Sequence, residues 1–455
     1  MVADRHRRGA GNNPVAGPSP VPTRPFPMQA ERMTQPIDSN FGTEIILRAE
    51  QLAGHSDDPS ALTVAYLTRA HQTAGAEIAG WMIEAGMRVR IDAVGNVIGR
   101  YEAGEPDAPV LMTGSHFDTV RHGGRFDGRL GILAPLVVAA HLHQRGERLP
   151  FHLDVVALAE EEGLRFRSSF LASSALVGEF DFARLDQQDA DGVTMRQAMC
   201  AAGLPGTEEA IAACAVDPRR LLGYVEVHIE QGPVLLDRGL PLGVVTSIAG
   251  NVRRRVAVTG LASHAGTTPM GMRRDALTAA AEMVLAVERR CGDPRFAAHA
   301  LVGTVGMAGV PQGAANVVPG RCEFSLDVRA ADDAARDAAV ADLDADFTRI
   351  ASRRGVELSL SQTMRVPCAR CSPRLMDRLA ECIDSAGVPV LRLASGAGHD
   401  AMVMARVTDV CMLFVRCGNG GISHNPLETM TAEDADIAAR VLLDFLRRTA
   451  AECGR

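Results

Sequence analysis

The chain has 455 residues, 47% of them hydrophobic and 22% charged, with a formal net charge of -8. That length gives room for two or three domains around a large core, and the acidic balance argues against a nucleic-acid polyanion as the main partner. No stretch approaches the ~18 consecutive apolar residues of a membrane span; the run Leu130–Ala140 is broken by Pro135, and Arg5, Arg7 and Arg8 are followed by Gly, Asn and Pro instead of a signal-peptide apolar segment, so a cytoplasmic protein is expected.

Residues 1–36 are rich in Pro, Gly, Asn and Arg without periodicity and are expected to form a disordered tail. Ala61–Gly86 carries a helical pattern. Pro109–Thr113 is a short apolar run ending at Gly114, as a buried strand would. Asp127 is expected to cap a helix that runs to about Gly146, and Phe151–Ala159 and Tyr224–Ile229 read as further strands. Alternating strand and helix implies an α/β domain whose mostly parallel sheet is flanked by helices.

Between about 247 and 362 the pattern changes. Cys322, Phe324, Leu326 and Val328 alternate with polar neighbours, as do Val256 and Val258, which describes strands with one wet face. Helical segments Asp275–Arg290 and Asp332–Arg354 accompany them, and the parallel pattern resumes at Val388–Leu393 and Val410–Val415. The expected organisation is a discontinuous catalytic domain, 37–246 with 363–455, interrupted by a small α+β domain over 247–362. Ten cysteines in a chain this long do not form a disulfide framework, and the lone Cys368-x-x-Cys371 lacks the second pair of a structural zinc site; reduced thiols are expected.

The residues with chemistry in them sit just after expected strands, where open α/β sheets place their sites. His116 and Asp118 lie in GSHFDT, Asp127 in GGRFDG, Glu160–Glu162 after LDVVALA, His228 in YVEVHIEQGP, and His424 in GGISHNP after CMLFV. Any one of these histidines is more often a hydrogen-bonded structural residue; the triple Glu could be a solvated run. Buried together, however, they require compensating charge. Imidazole and carboxylate without thiolate suit two ions of zinc, manganese or cobalt. One would take His116, Asp127 and His228, the other Asp127, Glu162 and His424, with Asp127 as bridge. Asp118 is placed to orient the His116 ring, and Glu161 to take a proton from the attacking water and return it to the leaving nitrogen. No G-x-G-x-x-G follows a strand and there is no G-x-S-x-G elbow.

GSHFDTVRHGGRFDG (114–128), EEEGLRF (160–166), HIEQGP (228–233), SHAGTTPM (263–270), NVVPG (316–320), GAGHDA (396–401) and GISHNPLE (421–428) resemble the amidase branch of the dinuclear metallopeptidase superfamily. That branch includes allantoate amidohydrolases, N-carbamoyl-L-amino-acid hydrolases and β-ureidopropionases, and the resemblance extends from about 45 to 450. It implies the same ligands, with two divalent cations per subunit, and Glu161 as base. It further implies that the inserted domain is a ferredoxin-like lid and dimerisation domain, and that His264 completes the site of the other subunit in a homodimer. Arg329 would clamp the substrate carboxylate, with Gln231, Asn316, Gly398 and His399 beside it; the plainer reading of Arg329 is an ion pair with Asp327 or Glu323. Arg273, which could simply pair with Asp275, has no clear duty. The implied reaction is hydrolysis of a ureido C–N bond in a small carboxylated substrate, allantoate first, a carbamoyl amino acid as the alternative.

Overall fold

The computed structural model of the chain describes residues 40–453, so the tail expected over 1–36 lies outside the described residues. Two sheets organise them. At the centre of the larger, nine-stranded sheet, His152–Leu158, Val110–His116, Leu221–Ile229 and Val410–Val415 lie side by side and parallel, in that order. Every residue of Val110–His116 and of His152–Leu158 is buried. Covered on both faces, such strands need continuous rather than alternating apolar runs.

Antiparallel strands flank this centre, Val97–Tyr101 and then Arg88–Ile91 on one side, Leu242–Ile248 on the other. The sheet is therefore mixed, which corrects the expectation of a mostly parallel one. On its first edge the reason is a tight return, which only antiparallel neighbours allow: the Asp92 carboxylate accepts the N–H groups of Val94 and Asn96 and closes the turn. The helix Leu130–Gln144 is apolar almost all round, packs beneath the sheet, and is covered by the helices Phe41–Ala53 and Ala432–Cys453.

The helix expected from Ala61 begins only at Arg69, where the Thr68 hydroxyl accepts from the His71 N–H. Side chains upstream capture the backbone first: Asp57 accepts from the Ala65 N–H at 2.9 Å and Asp58 from Ser60 at 2.8 Å, the competition by which Asp and Ser oppose helix. The strand expected at Val388–Leu393 is displaced to Arg392–Ser395.

After Ile248 the chain leaves the large sheet and pairs with it again at Ala369. Between these points Gly250–Thr259, Arg321–Ala330 and Glu357–Val366, with the short Val302–Thr304 and Ala308–Gly309, form a second, wholly antiparallel sheet. Cys322, Phe324, Leu326 and Val328 all point inward, meeting the helices Ala276–Cys291 and Asp333–Arg354 in a core separate from that of the large sheet. Asp275 and Asp332 start those helices by accepting from the N–H groups of Thr278 and Ala335. All ten cysteines are free thiols. Among the described residues no helix is long and apolar enough to cross a membrane.

His71 gives the fold an acid-sensitive point. Its ring is buried between Tyr66 and Phe117 and donates to the Ala159 carbonyl at 2.7 Å. Burial lowers its pKa to about 4, whereas an unfolded His titrates near 6.5. Below pH 6.5 the unfolded chain thus binds a proton that the folded chain refuses. Stability contributed here is complete above that pH and declines as pH falls toward 4, by up to about 3 kcal/mol. His71→Gln, which keeps a donor, should flatten the fall of Tm over that window. An identical acid limb in both proteins would show that His71 is not responsible.

Candidate metal centre and substrate cleft

Four adjacent parallel strands deliver polar residues to one sheet edge. His116 ends its strand, Glu160–Glu162 follow His152–Leu158, His228 lies at the end of Leu221–Ile229, and His424 sits in the loop beyond Val410–Val415. Asp127 reaches the same point, but not as a helix cap. The helix starts at Leu130 with no side-chain cap, and the Asp127 carboxylate turns toward the imidazoles, which compensate its charge better than helix N–H groups would.

Asp127 faces both ways. Its Oδ1 lies 3.4 Å from His228 Nε2 and 3.9 Å from His116 Nε2, while its Oδ2 lies 3.1 Å from His424 Nε2. Glu162 Oε1 stands 3.3 Å from that same His424 nitrogen. His228 donates through Nδ1 to the Ile229 carbonyl at 2.8 Å, which leaves a lone pair on Nε2. His116 Nδ1 faces the Asp118 carbonyl at 3.1 Å and the Asp118 carboxylate at 3.3 Å. That carboxylate also accepts the N–H groups of Glu161 and Glu162 at 3.1 Å each, so Asp118 pins the glutamate loop as well as the ring. Gly128 must be glycine: its φ is +67°, and a Cβ there would fall 2.5 Å from the His116 ring.

The donors fall into two groups that share Asp127: His116, Asp127 and His228, then Asp127, Glu162 and His424, each with one potential ligand atom within 4.8 Å of the others. His116, Glu161 and Glu162 form a further set, so Glu161 borders the cluster. Burial, then the neighbouring Glu162 charge, pushes the Glu161 carboxyl far above its ordinary range. Burial followed by Asp118 and Glu162 does the same to Glu160. Beneath them, burial raises Asp400 to about 7 and, with the Asp400 charge, Glu226 to about 8. Burial lowers His228 to about 4, keeping it neutral, while hydrogen bonds to Asp127 and then Glu162 raise His424 to about 10. So many carboxylates in so dry a place call for positive charge, and a pair of divalent cations on this imidazole–carboxylate set fits that need.

A cavity of about 660 Å³ opens over the cluster, and Gln231, Arg329 and Gly398 line it with the residues above. Gln231 donates to Asp127 at 3.0 Å. Arg329 is ion-paired with Asp327 through Nε and Nη2, at 3.1 and 3.2 Å, and donates from Nη1 to the Gly396 carbonyl at 2.9 Å. A guanidinium has five N–H groups, so one on each terminal nitrogen is still available.

Two residues expected beside Arg329, His399 and Asn316, are elsewhere, and His264, expected to serve the other subunit's site, lies outside this one. His399 is buried behind His228, its ring centroid 4.4 Å away, and bonds to Ser395 Oγ at 2.8 Å instead of lining the cavity. His264 and Asn316 are exposed and do not line it either. They belong to a ribbon in which His264 pairs with Val317 and the Ala265 N–H bonds to the Asn316 carbonyl at 2.9 Å. Arg273, instead of pairing with Asp275, donates to the carbonyls of Thr268 and Ala265 and braces that same loop.

Glu428 was not singled out from the sequence. Its buried carboxylate accepts from the N–H groups of Phe126 and Asp127 at 2.8 and 3.2 Å and from Ser423 Oγ at 2.7 Å. It therefore locks the His424 loop to the Asp127 loop, 301 residues apart in sequence. Nothing in the local pattern signals this, because the bonded partners are remote backbone groups. Glu428→Ala strands two N–H donors and should cost about 1–3 kcal/mol, read as a lower Tm. It should also weaken Zn²⁺ binding to metal-free protein by roughly 10–100-fold. Unaltered zinc affinity would mean that the lock does not organise the site.

The profile of peptidase family M20/M25/M40 matches residues 112–448. An allantoate deiminase of Arabidopsis thaliana is 38% identical over 430 residues, which is 89% of this chain and 81% of that enzyme. An N-carbamoyl-L-amino acid amidohydrolase of Geobacillus stearothermophilus is 39% identical over 80% of this chain and 88% of its own. Among solved structures, an amidase of the hydantoinase/carbamoylase family from Burkholderia multivorans superposes with a TM-score of 0.82 at 34% identity, covering 90% of this chain and 98% of that one.

Proposed function

The chain belongs to peptidase family M20/M25/M40, and within it we propose that it is an amidohydrolase cleaving the ureido C–N bond of a small carboxylated substrate, allantoate foremost. One observation carries this reading: a single carboxylate, Asp127, shared between two groups of potential metal donors at the floor of a cleft. The similarity to allantoate deiminases and to N-carbamoyl-L-amino-acid amidohydrolases supports a ureido substrate over a peptide.

His116, Asp127 and His228 would hold one divalent cation, and Asp127, Glu162 and His424 the other. When bound, such a pair, zinc or manganese, supplies Lewis acidity and lowers the pKa of an attacking water. Glu161, outside both groups that share Asp127, takes the proton of that water and returns it to the departing nitrogen. Asp118 holds the Glu161–Glu162 backbone so that the base stays aimed. The two uncommitted N–H groups of Arg329 receive the substrate carboxylate, with Asp327 fixing the guanidinium plane. Gln231 orients Asp127, and Gly398 leaves space, since a Cβ there would meet Phe170 at 2.8 Å.

The segment 247–362 is proposed as a ferredoxin-like lid and dimerisation domain. His264, exposed on its ribbon and outside its own cleft, then serves the cleft of a second copy, where it would stabilise negative charge on the carbamoyl oxygen.

The second reading, an N-carbamoyl-L-amino-acid hydrolase, uses the same parts and is favoured by comparable identity to that enzyme. Protein reconstituted with Zn²⁺ or Mn²⁺ and offered allantoate, N-carbamoyl-β-alanine and N-carbamoyl-L-methionine, with ammonia detection, separates them. Turnover of a carbamoyl amino acid with allantoate inert would reverse the choice. Glu161→Gln should retain bound metal while kcat falls roughly 10²–10⁴-fold; an unaffected kcat removes the residue from its role. Arg329→Ala should raise KM for carboxylated substrates far more than for their amides, and equal effects on both would count against the clamp.

A further inference from the structure

Among the described residues six arginines line the cavity, and five are already committed. Arg184 pairs with Asp181, Arg253 and Arg329 with Asp327, Arg365 with Asp337, and Arg406 with Glu179. Arg167 has no ion pair or hydrogen bond among the described residues, yet it lines the same space as Glu161 and Glu162.

Its position is not casual. Arg167 has a φ of +53°, in the left-handed region, which a long side chain adopts only where its surroundings enforce it. Both neighbours supply that enforcement. Phe166 and Ser168 are buried, and the Ser168 hydroxyl donates to Gln187 Oε1 at 2.8 Å. One residue further back, Arg165 is tied to Asp189 at 2.9 Å and to the Tyr66 carbonyl at 2.9 Å. Two residues beyond Ser168, the Phe170 N–H bonds back to the Glu161 carbonyl at 2.9 Å. The backbone under Arg167 is thus fixed to the loop that carries Glu161, and the exposed Arg167 lines the cavity with no side-chain partner among the described residues.

We infer that Arg167 is a specificity-determining residue that binds an oxygen acceptor on the arm of the substrate remote from the scissile ureido group. This rests on the ureido-hydrolase reading and refines its substrate class. Arg329 takes the α-carboxylate; Arg167 takes a carbonyl or carboxylate oxygen carried on the same carbon, such as the second ureido group of a geminal diureido acid. A carbamoyl amino acid with an apolar side chain offers Arg167 nothing.

The test compares Arg167→Leu and Arg167→Lys with the parent protein, each metal-reconstituted, on allantoate (ureido arm), N-carbamoyl-L-aspartate (carboxylate arm) and N-carbamoylglycine (no arm). Loss of one hydrogen bond to a charged group should make the leucine variant's fall in kcat/KM on an arm-bearing acid exceed that on N-carbamoylglycine by about tenfold or more. The loss should lie mainly in KM, because a remote arm is held equally in ground and transition states. Lysine should recover part of it as a point charge. The arm that shows the selective loss identifies the acceptor. Equal losses on all three acids would overturn the assignment, as would a parent protein that turns over N-carbamoylglycine but neither arm-bearing acid; in both cases the hydrolase reading stands. A parent protein inert toward every ureido acid removes that reading and this inference with it.

Discussion

One carboxylate organises this protein. Asp127 presents Oδ1 to His116 and His228 and Oδ2 to His424, three imidazoles brought in by three strand ends. A buried carboxylate in this arrangement is tolerated because each oxygen meets groups that compensate its charge. Its surroundings keep it in place: Glu428 holds its backbone, Gln231 holds its side chain, and Gly128 lets the chain turn away against the His116 ring. Displacement of Asp127 would separate the two donor groups, since it is the residue they share.

Around that point the molecule separates its charges by depth. The floor of the cleft and the interior behind it are carboxylate-rich and dry: Glu161 lines the cavity, Glu160, Glu226 and Asp400 do not, and all four are held above their ordinary pKa by burial first. The wall is rich in arginine, drawn both from the large-sheet part of the chain, as Arg167, Arg184 and Arg406, and from the second sheet, as Arg253, Arg329 and Arg365. Cations suit the floor and a carboxylated substrate suits the wall. A net acidic chain can therefore receive an anion, because the local field and not the total charge acts on a small ligand.

Where charge on the arginine wall is neutralised also matters. Most of its guanidinium groups are bound to aspartate or glutamate, which fixes their geometry and spends part of their donor capacity. Among the described residues Arg329 keeps two N–H groups free, and Arg167 keeps all of its own. Different commitments of the same residue type, within a single cavity, give the wall discrete points of recognition instead of a diffuse positive patch.

The apolar runs ending at His116 and at the triple glutamate, and the one before His424, were legible in the sequence as buried strands, because a strand covered on both faces must be apolar throughout. Their polar ends followed directly, and with them the gathering of His116, Asp127, Glu162, His228 and His424 at one edge. The alternation of Cys322, Phe324, Leu326 and Val328 likewise announced a sheet with one wet face. Other features left no local trace. The antiparallel edge of Arg88–Ile91 with Val97–Tyr101 depends on a short turn, and the late start of the helix at Arg69 on aspartates competing for backbone N–H groups. The burial of His399 behind His228, the exposure of His264 and Asn316, and the grip of Glu428 on Asp127 all join segments far apart in the chain. Hydrophobic periodicity and strand ends are written residue by residue, so the sequence alone determined that His116, Asp127, Glu162, His228 and His424 would meet at one edge. Which oxygen faces which nitrogen, and which arginine is left unpaired, was decided only by tertiary packing, because hydrogen bonds between remote backbone and side-chain groups impose no pattern on their neighbours.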